Sequence, residues 1–232
     1  MARSRMNRTS GRVSTGGWWR RCWRRDGAGR STGHTAPVDD CYISVDIEAD
    51  GPIPGPYSML SFGFVLAGTY DGTTFVPADL DAPVVFYREL RPISDAFVPS
   101  ALEISGLDRD RLVTDGTDAK VAMQAAREWV LELAGDRHPV LVAYPLSFDW
   151  MYLHWYFTRF VADGSPFSYS QCLDVKTMIA ATFGGTTDRA NKRFLPPEMQ
   201  STRPHTHHAI DDAIEQADLF AKVFAHAAAQ RG

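Results

Sequence analysis

No stretch of this 232-residue chain approaches the roughly 18 uninterrupted apolar residues that a membrane helix needs, so no membrane partner is expected. Cysteine is scarce. Cys22, Cys41 and Cys172 form no C-x-x-C pair and no even-numbered set. That excludes a disulfide framework and a cysteine-based zinc site, and it points to a reduced, cytoplasmic setting. Internal repeats are missing as well. Positive charge is missing from most of the chain. Residues 1–38 hold nine of the 24 basic residues and one of the 28 acidic ones, a local charge of +8. The remainder carries −12, which restores the overall −4. A domain at −12 is not a general polyanion binder, because phosphate backbones are held by basic groups. Any nucleic acid must be held locally, by metal ions and a few Arg or Lys. That favours short or single-stranded ends over long duplex tracks.

What is present suits one medium α/β domain over residues 39–232, with 44% apolar residues to fill a core. Residues 1–38 are rich in Arg, Gly, Ser and Thr, and their one apolar cluster is Trp18, Trp19, Cys22 and Trp23. The pairs Arg20-Arg21 and Arg24-Arg25 suggest a twin-arginine export signal, but the following residues are polar and supply no apolar region. The segment is read as a basic, disordered extension; a nucleic-acid-binding arm is the functional alternative.

Within the domain, Cys41–Ile47 alternates as a strand, with Ile43, Val45 and Ile47 on one side and Ser44, Asp46 and Glu48 on the other. A turn-rich loop follows at 50–56. Strands are expected over 58–67, 84–90 and 138–144, with a turn at Asp71-Gly72. Helices are expected over 118–134, 147–161, 174–183 and from about 208 to 230. The first of these should bury a stripe of Val121, Ala125, Trp129 and Leu133. The second should take Ser147 as its N-cap. The last should bury Ala209, Ala213, Ala217 and Phe220. Residues 184–206 read as a polar loop carrying Arg189, Lys192, Arg193 and Arg203. Strands in succession, then strands alternating with helices, imply a mixed sheet with helices packed on it.

Three acidic anchors stand out. Asp46 and Glu48, two apart on a strand, share a face roughly 6.5 Å apart along the backbone. Like charges beside a buried strand need a cation between them, and no basic residue lies in the stretch. Asp149 opens a helix after a buried strand, where a carboxylate either complements the helix dipole or reaches the carboxyl edge of the sheet. His207 and Asp212 lie in the run His205-Thr-His-His-Ala-Ile-Asp-Asp-Ala213. The histidines invite a zinc reading, but no cysteine is near and no second histidine pair completes a closed site.

Taken in order, these anchors resemble the DEDDh 3′-5′ exonucleases, the family of ribonuclease T, oligoribonuclease and the proofreading subunit of bacterial replicative polymerase. The residues that carry the resemblance are Val45-Asp46-Ile47-Glu48, Ser147-Phe148-Asp149 and His207-His-Ala-Ile-Asp-Asp212. The run from His208 to Ala217 and the short Ile104-Ser-Gly-Leu107 add to it. It spans about residues 41–230. This sequence departs from the family where Tyr144-Pro145 stands in place of a His-Asn pair, and where Ile47 and Ala49 flank Glu48 in place of a threonine.

The resemblance implies a ribonuclease H-like fold, a mixed five-stranded sheet flanked by helices. It implies two divalent cations, Mg²⁺ or Mn²⁺, held by Asp46, Glu48, Asp149 and Asp212. By the same likeness Asp46 bridges both ions, Glu48 and Asp212 hold the ion that activates water, and Asp149 serves the ion beside the leaving 3′ oxygen. His207 is the general base. Helix spacing alone pairs His208 with Asp212, four residues apart. A helix that begins near His208 leaves His207 in the loop before it, free to turn over the ions. Arg189, Lys192, Arg193 and Arg203 are expected to meet substrate phosphates. The substrate class is single-stranded DNA or RNA 3′ ends, or short oligonucleotides, cut to nucleoside 5′-monophosphates. A homodimer is compatible with the resemblance. The competing readings are an endonuclease-type two-metal phosphohydrolase and a non-catalytic nucleic-acid-binding module.

Overall fold

The computed structural model describes residues 39–230. The expectations for residues 1–38, extension or basic arm, lie outside the described residues. β1 (Asp40–Ala49) forms where the alternation was read. β2 (Met59–Tyr70) runs antiparallel beside it, with Asp46 opposite Gly63. Two short strands share the outer edge of β2. β4 (Val85–Glu89) pairs with Ser61–Val65, and β3 (Phe75–Pro77) pairs with Gly68–Tyr70. On the other side, β5 (His138–Ala143) runs parallel to β1 and β6 (Cys172–Asp174) parallel to β5. The mixed sheet is therefore five strands wide, although six segments build it.

Six helices flank the sheet among the described residues: α1 (Pro99–Ser105), α2 (Arg109–Asp115), α3 (Ala119–Ala134), α4 (Leu146–Phe160), α5 (Val175–Phe183) and α6 (Ala209–Ala229). On one face, Ile43, Val45, Phe62 and Phe64 pack against Met123, Ala126 and Val130 of α3 and Leu153, Tyr156 and Phe157 of α4. On the other, Tyr42, Val65 and Val142 pack against Ile179 of α5 and Ala213, Ala217 and Phe220 of α6. Alanines four residues apart keep the inner face of α6 shallow, so the helix can lie close to the sheet. Gly63 takes this closeness furthest. A Cβ there would sit 2.7 Å from the Ile210 Cα and 2.8 Å from the Ala209 carbonyl oxygen.

Several local expectations change. Of the stripe expected for α3, Ala125, Trp129 and Leu133 pack partly buried against the core, Val121 is 62% exposed, and the buried residues are Ala119, Ala122, Met123, Ala126, Val130 and Ala134. The core-facing side is therefore centred about one residue later in the repeat, with Trp129 at its edge against Phe64 and Phe86. Ser147 is not an N-cap. α4 starts one residue earlier, and its Leu146 N–H donates to Asp174 Oδ2 at 2.7 Å. Asp174 also accepts from the Thr177 N–H, so one carboxylate caps two helix starts. The turn at Asp71-Gly72 leads into β3, which was not foreseen. Ile104-Ser-Gly-Leu107 is the end of α1, where Gly106 adopts φ 65° and donates to the Leu102 carbonyl.

Candidate active site

Asp46 and Glu48 sit half-buried near the carboxyl end of β1, on the side that faces α6. The first turn of α6 brings in Asp212, which is 1% exposed. Carboxylate oxygens of these three residues lie within 4.8 Å of one another. The first turn of α4 delivers Asp149, 4% exposed, to the same edge of the sheet. Its Oδ1 accepts the Ile47 N–H at 3.1 Å, between the two strand acids. Asp149 is thus fixed to β1 beside the trio, not within it. All four acids proposed from sequence meet where β1 and β5 end, the edge at which sites in α/β sheets gather.

The electrostatics are those of crowded, poorly compensated charge. Burial raises the Asp46 carboxyl well above its ordinary range, and Asp149, Glu48 and Asp212 raise it further. Burial, with Asp212 nearby, pushes Glu48 up to about 7. Burial carries Asp149 to about 8, against the pull of the Ile47 N–H bond. No lysine or arginine among the described residues pairs with any of the four. Hard, anionic oxygens gathered without a counter-charge fit divalent cations such as Mg²⁺ or Mn²⁺.

His207 lies in the loop, one residue before the α6 N-cap His208. It is the only non-glycine residue with positive φ, 57°, among those described. That conformation is uncommon for a side-chain-bearing residue. It turns the His207 N–H onto Asp212 Oδ2 at 3.1 Å. The exposed His207 ring meets the His205 ring edge-on at 4.7 Å. A His207 ring nitrogen falls within 4.8 Å of both a His205 nitrogen and an Asp212 oxygen. His208 goes elsewhere. Its ring lies against Tyr87 at 4.8 Å, and its Nδ1 is 3.8 Å from Asp211. Its carbonyl accepts the Asp212 N–H at 3.0 Å, but the extended φ/ψ of this N-cap takes its side chain off the helix face that Asp212 shares.

Other residues at the site were not singled out from sequence. Gln216 donates from Nε2 to Asp46 Oδ1 at 2.7 Å and accepts the Tyr144 N–H at 2.8 Å. It stands four residues after Asp212, on the same helix face, and that spacing was the available signal. His205 places Nδ1 3.0 Å from Asp212 Oδ2 and 3.6 Å from Glu215 Oε2. Glu215, itself buried, takes the Lys192 ammonium at 2.6 Å. Of the four loop bases, Lys192 therefore reaches the site's rim through Glu215. Arg203 is tied to Asp81, and Arg189 and Arg193 flank Phe194.

Residues 107–224 match the family described as the Rv2179c-like 3′-5′ exoribonuclease domain. A 3′-5′ DNA exonuclease of Escherichia coli, Cap18, is 35% identical over 186 residues, covering 78% of this chain and 90% of that protein. Among solved structures, cell-death related nuclease 4 aligns at a TM-score of 0.56 and 14% identity, over 82% of this chain and 64% of that one. Pop2p of S. pombe, in a form with Mg²⁺ and Mn²⁺ bound, aligns at 0.54 and 16% identity, over 79% of this chain and 82% of that one. At these identities the solved structures show the fold, a ribonuclease H-like mixed sheet.

Proposed function

The chain belongs to the Rv2179c-like 3′-5′ exoribonuclease family, and we propose that this 3′-5′ exonuclease works by two-metal hydrolysis at the 3′ ends of single-stranded or short nucleic acids. The reading rests chiefly on one observation. Asp46, Glu48 and Asp212, far apart in sequence, bring their carboxylate oxygens within 4.8 Å of one another. Asp149 stands beside them on the Ile47 N–H. These four would hold two divalent cations, Mg²⁺ or Mn²⁺, which supply an activated water and stabilise charge on the leaving oxygen. Pop2p was solved with those ions, which supports the same choice here.

The remaining chemistry belongs to the chain's own side chains. His207 is the general base: imidazole can take a proton near neutral pH, and this ring is exposed beside Asp212. Its place in a loop leaves it free to approach a water and then release the proton to solvent. Asp212 is oriented by the Thr206 N–H at 2.8 Å and the His207 N–H at 3.1 Å. Gln216 orients Asp46. The products are nucleoside 5′-monophosphates. The family is described by ribonuclease activity and Cap18 by DNA, so both sugars belong in the test.

Digestion of 5′-labelled single-stranded DNA, RNA and very short oligonucleotides, side by side with Mg²⁺ or Mn²⁺, tests the reading. A ladder that shortens from the 3′ end with release of mononucleotides is expected. Internal fragments would mean an endonuclease, and binding without cleavage a non-catalytic module. The homodimer belongs to the same proposal, and light scattering reads it directly.

A further inference from the structure

Beyond the acids, the loop at 184–206 carries an unusual surface. Two of its four cations are already paired: Lys192 with Glu215 at 2.6 Å and Arg203 with Asp81 at 2.8 Å. Arg189 and Arg193 have no carboxylate partner among the described residues. Both guanidinium groups lie over the ring of Phe194, 5.6 Å and 4.7 Å from its centroid. Phe194 is itself 49% exposed. An apolar ring at the surface with a cation on it twice over, in a domain whose net charge is −12, is not explained by the core.

The surface is also anchored to the site. The Tyr144 hydroxyl donates to the Ala190 carbonyl at 3.3 Å and accepts the Lys192 N–H at 3.2 Å, so one side chain holds the loop at two points. Tyr144 follows β5 directly, in the turn that leads into the helix of Asp149. Lys192 begins the short 3-10 turn Lys192–Phe194 and reaches Glu215, three residues beyond Asp212. Phe194 therefore sits two residues from a side chain that touches the rim of the acidic cluster.

We propose that Phe194, with Arg189 and Arg193, forms a binding subsite for the single strand that leads to the reacting 3′ end. This rests on the exonuclease reading and extends it. An unpaired base takes the place of a guanidinium on the exposed ring, and the two arginines swing outward to meet phosphates on either side of it. A duplex has no free base face to offer, so the subsite takes single strands. Much of the remainder of the domain is acidic and repels a backbone, whereas this patch offers it two cations without carboxylate partners among the described residues.

The test uses the full chain with Mn²⁺ and two single-stranded substrates, a dinucleotide and a strand of about 12 nucleotides, within the span such platforms cover. In Phe194→Ala the preference for the longer strand, read as a ratio of kcat/KM, should fall about tenfold, the size of one lost stacking contact. Phe194→Trp should keep the ratio, and melting curves establish that both variants fold. In Arg189→Gln/Arg193→Gln the salt dependence of binding, followed by fluorescence anisotropy, should lose a slope of about 1.4, for two phosphates at about 0.7 each. An unchanged ratio in Phe194→Ala, or equal binding of a blunt duplex and a single strand by the wild type, would overturn the proposal. Anisotropy needs no turnover, so a protein that cleaves nothing would sink the exonuclease reading while the subsite is still decided by binding.

Discussion

Gln216 links Asp46 to the end of the neighbouring strand: its Nε2 donates to Asp46 Oδ1 at 2.7 Å while its Oε1 accepts the Tyr144 backbone N–H at 2.8 Å. The amide cannot rotate without losing both bonds. Asp46 on β1, Gln216 on α6 and the end of β5 are thereby fixed together, and the carboxylate with three acidic neighbours has one neutral donor assigned to it.

Gln216→Leu should weaken metal binding by about 10–100-fold, the usual effect of removing a group that orients a ligand. Isothermal titration with Mn²⁺ checks it. The variant also leaves the part-buried Tyr144 N–H without its acceptor, a cost of up to about 1 kcal/mol that thermal melts should register. Unaltered Mn²⁺ affinity would show that Asp46 needs no such support.

Asp46→Asn should reduce hydrolysis to background while the metal-free protein melts at the same temperature or higher. The substitution removes a charge that Asp149, Glu48 and Asp212 all oppose. Calorimetry and a gel assay on one preparation decide it. Retained turnover would remove Asp46 from the ligand set.

Stability without metal should fall as pH rises. Glu48 and Asp149 are raised in the fold, from 4.5 to about 7 and from 3.8 to about 8. Groups with raised folded values bind protons more tightly when folded than when unfolded. Their contribution is complete below the unfolded values and is lost as pH climbs through the folded ones. The melting temperature of the metal-free protein should therefore drop between about pH 5 and pH 8, and the gain on adding Mg²⁺ should grow over the same interval. A Mg²⁺-induced shift independent of pH would contradict the assignment of these acids.

His207→Ala should slow the chemical step by about 10²–10⁴-fold with metal binding largely kept. His208→Ala should cost far less, since that ring is engaged with Tyr87 and Asp211. Single-turnover rates separate chemistry from product release. A crippled His208→Ala beside a near-normal His207→Ala would reverse the assignment.

Removing residues 1–38 should leave folding and activity on short oligonucleotides nearly unchanged. A loss confined to long substrates, with a shallower salt dependence, would make the segment a nucleic-acid arm. Misfolding of the truncated chain would move the domain boundary.

Much of this molecule could be read in advance where periodicity and chemistry agree. The alternation around Asp46 and Glu48 announced a strand with one acidic face, and the alanines of 209–217 announced the buried side of α6. Three-residue strands left no such trace. β6 exists because Cys172–Asp174 finds the exposed edge of β5, a pairing set by tertiary position. The Ser147 cap failed for a similar reason: Asp174, distant in sequence, supplied the acceptor first. His205 lay in plain view in a histidine-rich run, yet its contact with Asp212 depends on a left-handed residue two positions later, and residue type alone does not announce that.

Gly63 carries no functional atom, yet it faces Asp46 across the strand pair and touches the backbone of α6 within a few residues of Asp212. Any side chain there is a wedge driven between strand and helix. A single added methyl there would press on the Ile210 Cα and the Ala209 carbonyl and push apart the strand and helix that carry Asp46 and Asp212, with every acid and histidine of the site unchanged. The tolerance of this acidic cluster is mechanical before it is chemical, and a tight clearance behind it lies at a residue with nothing to react.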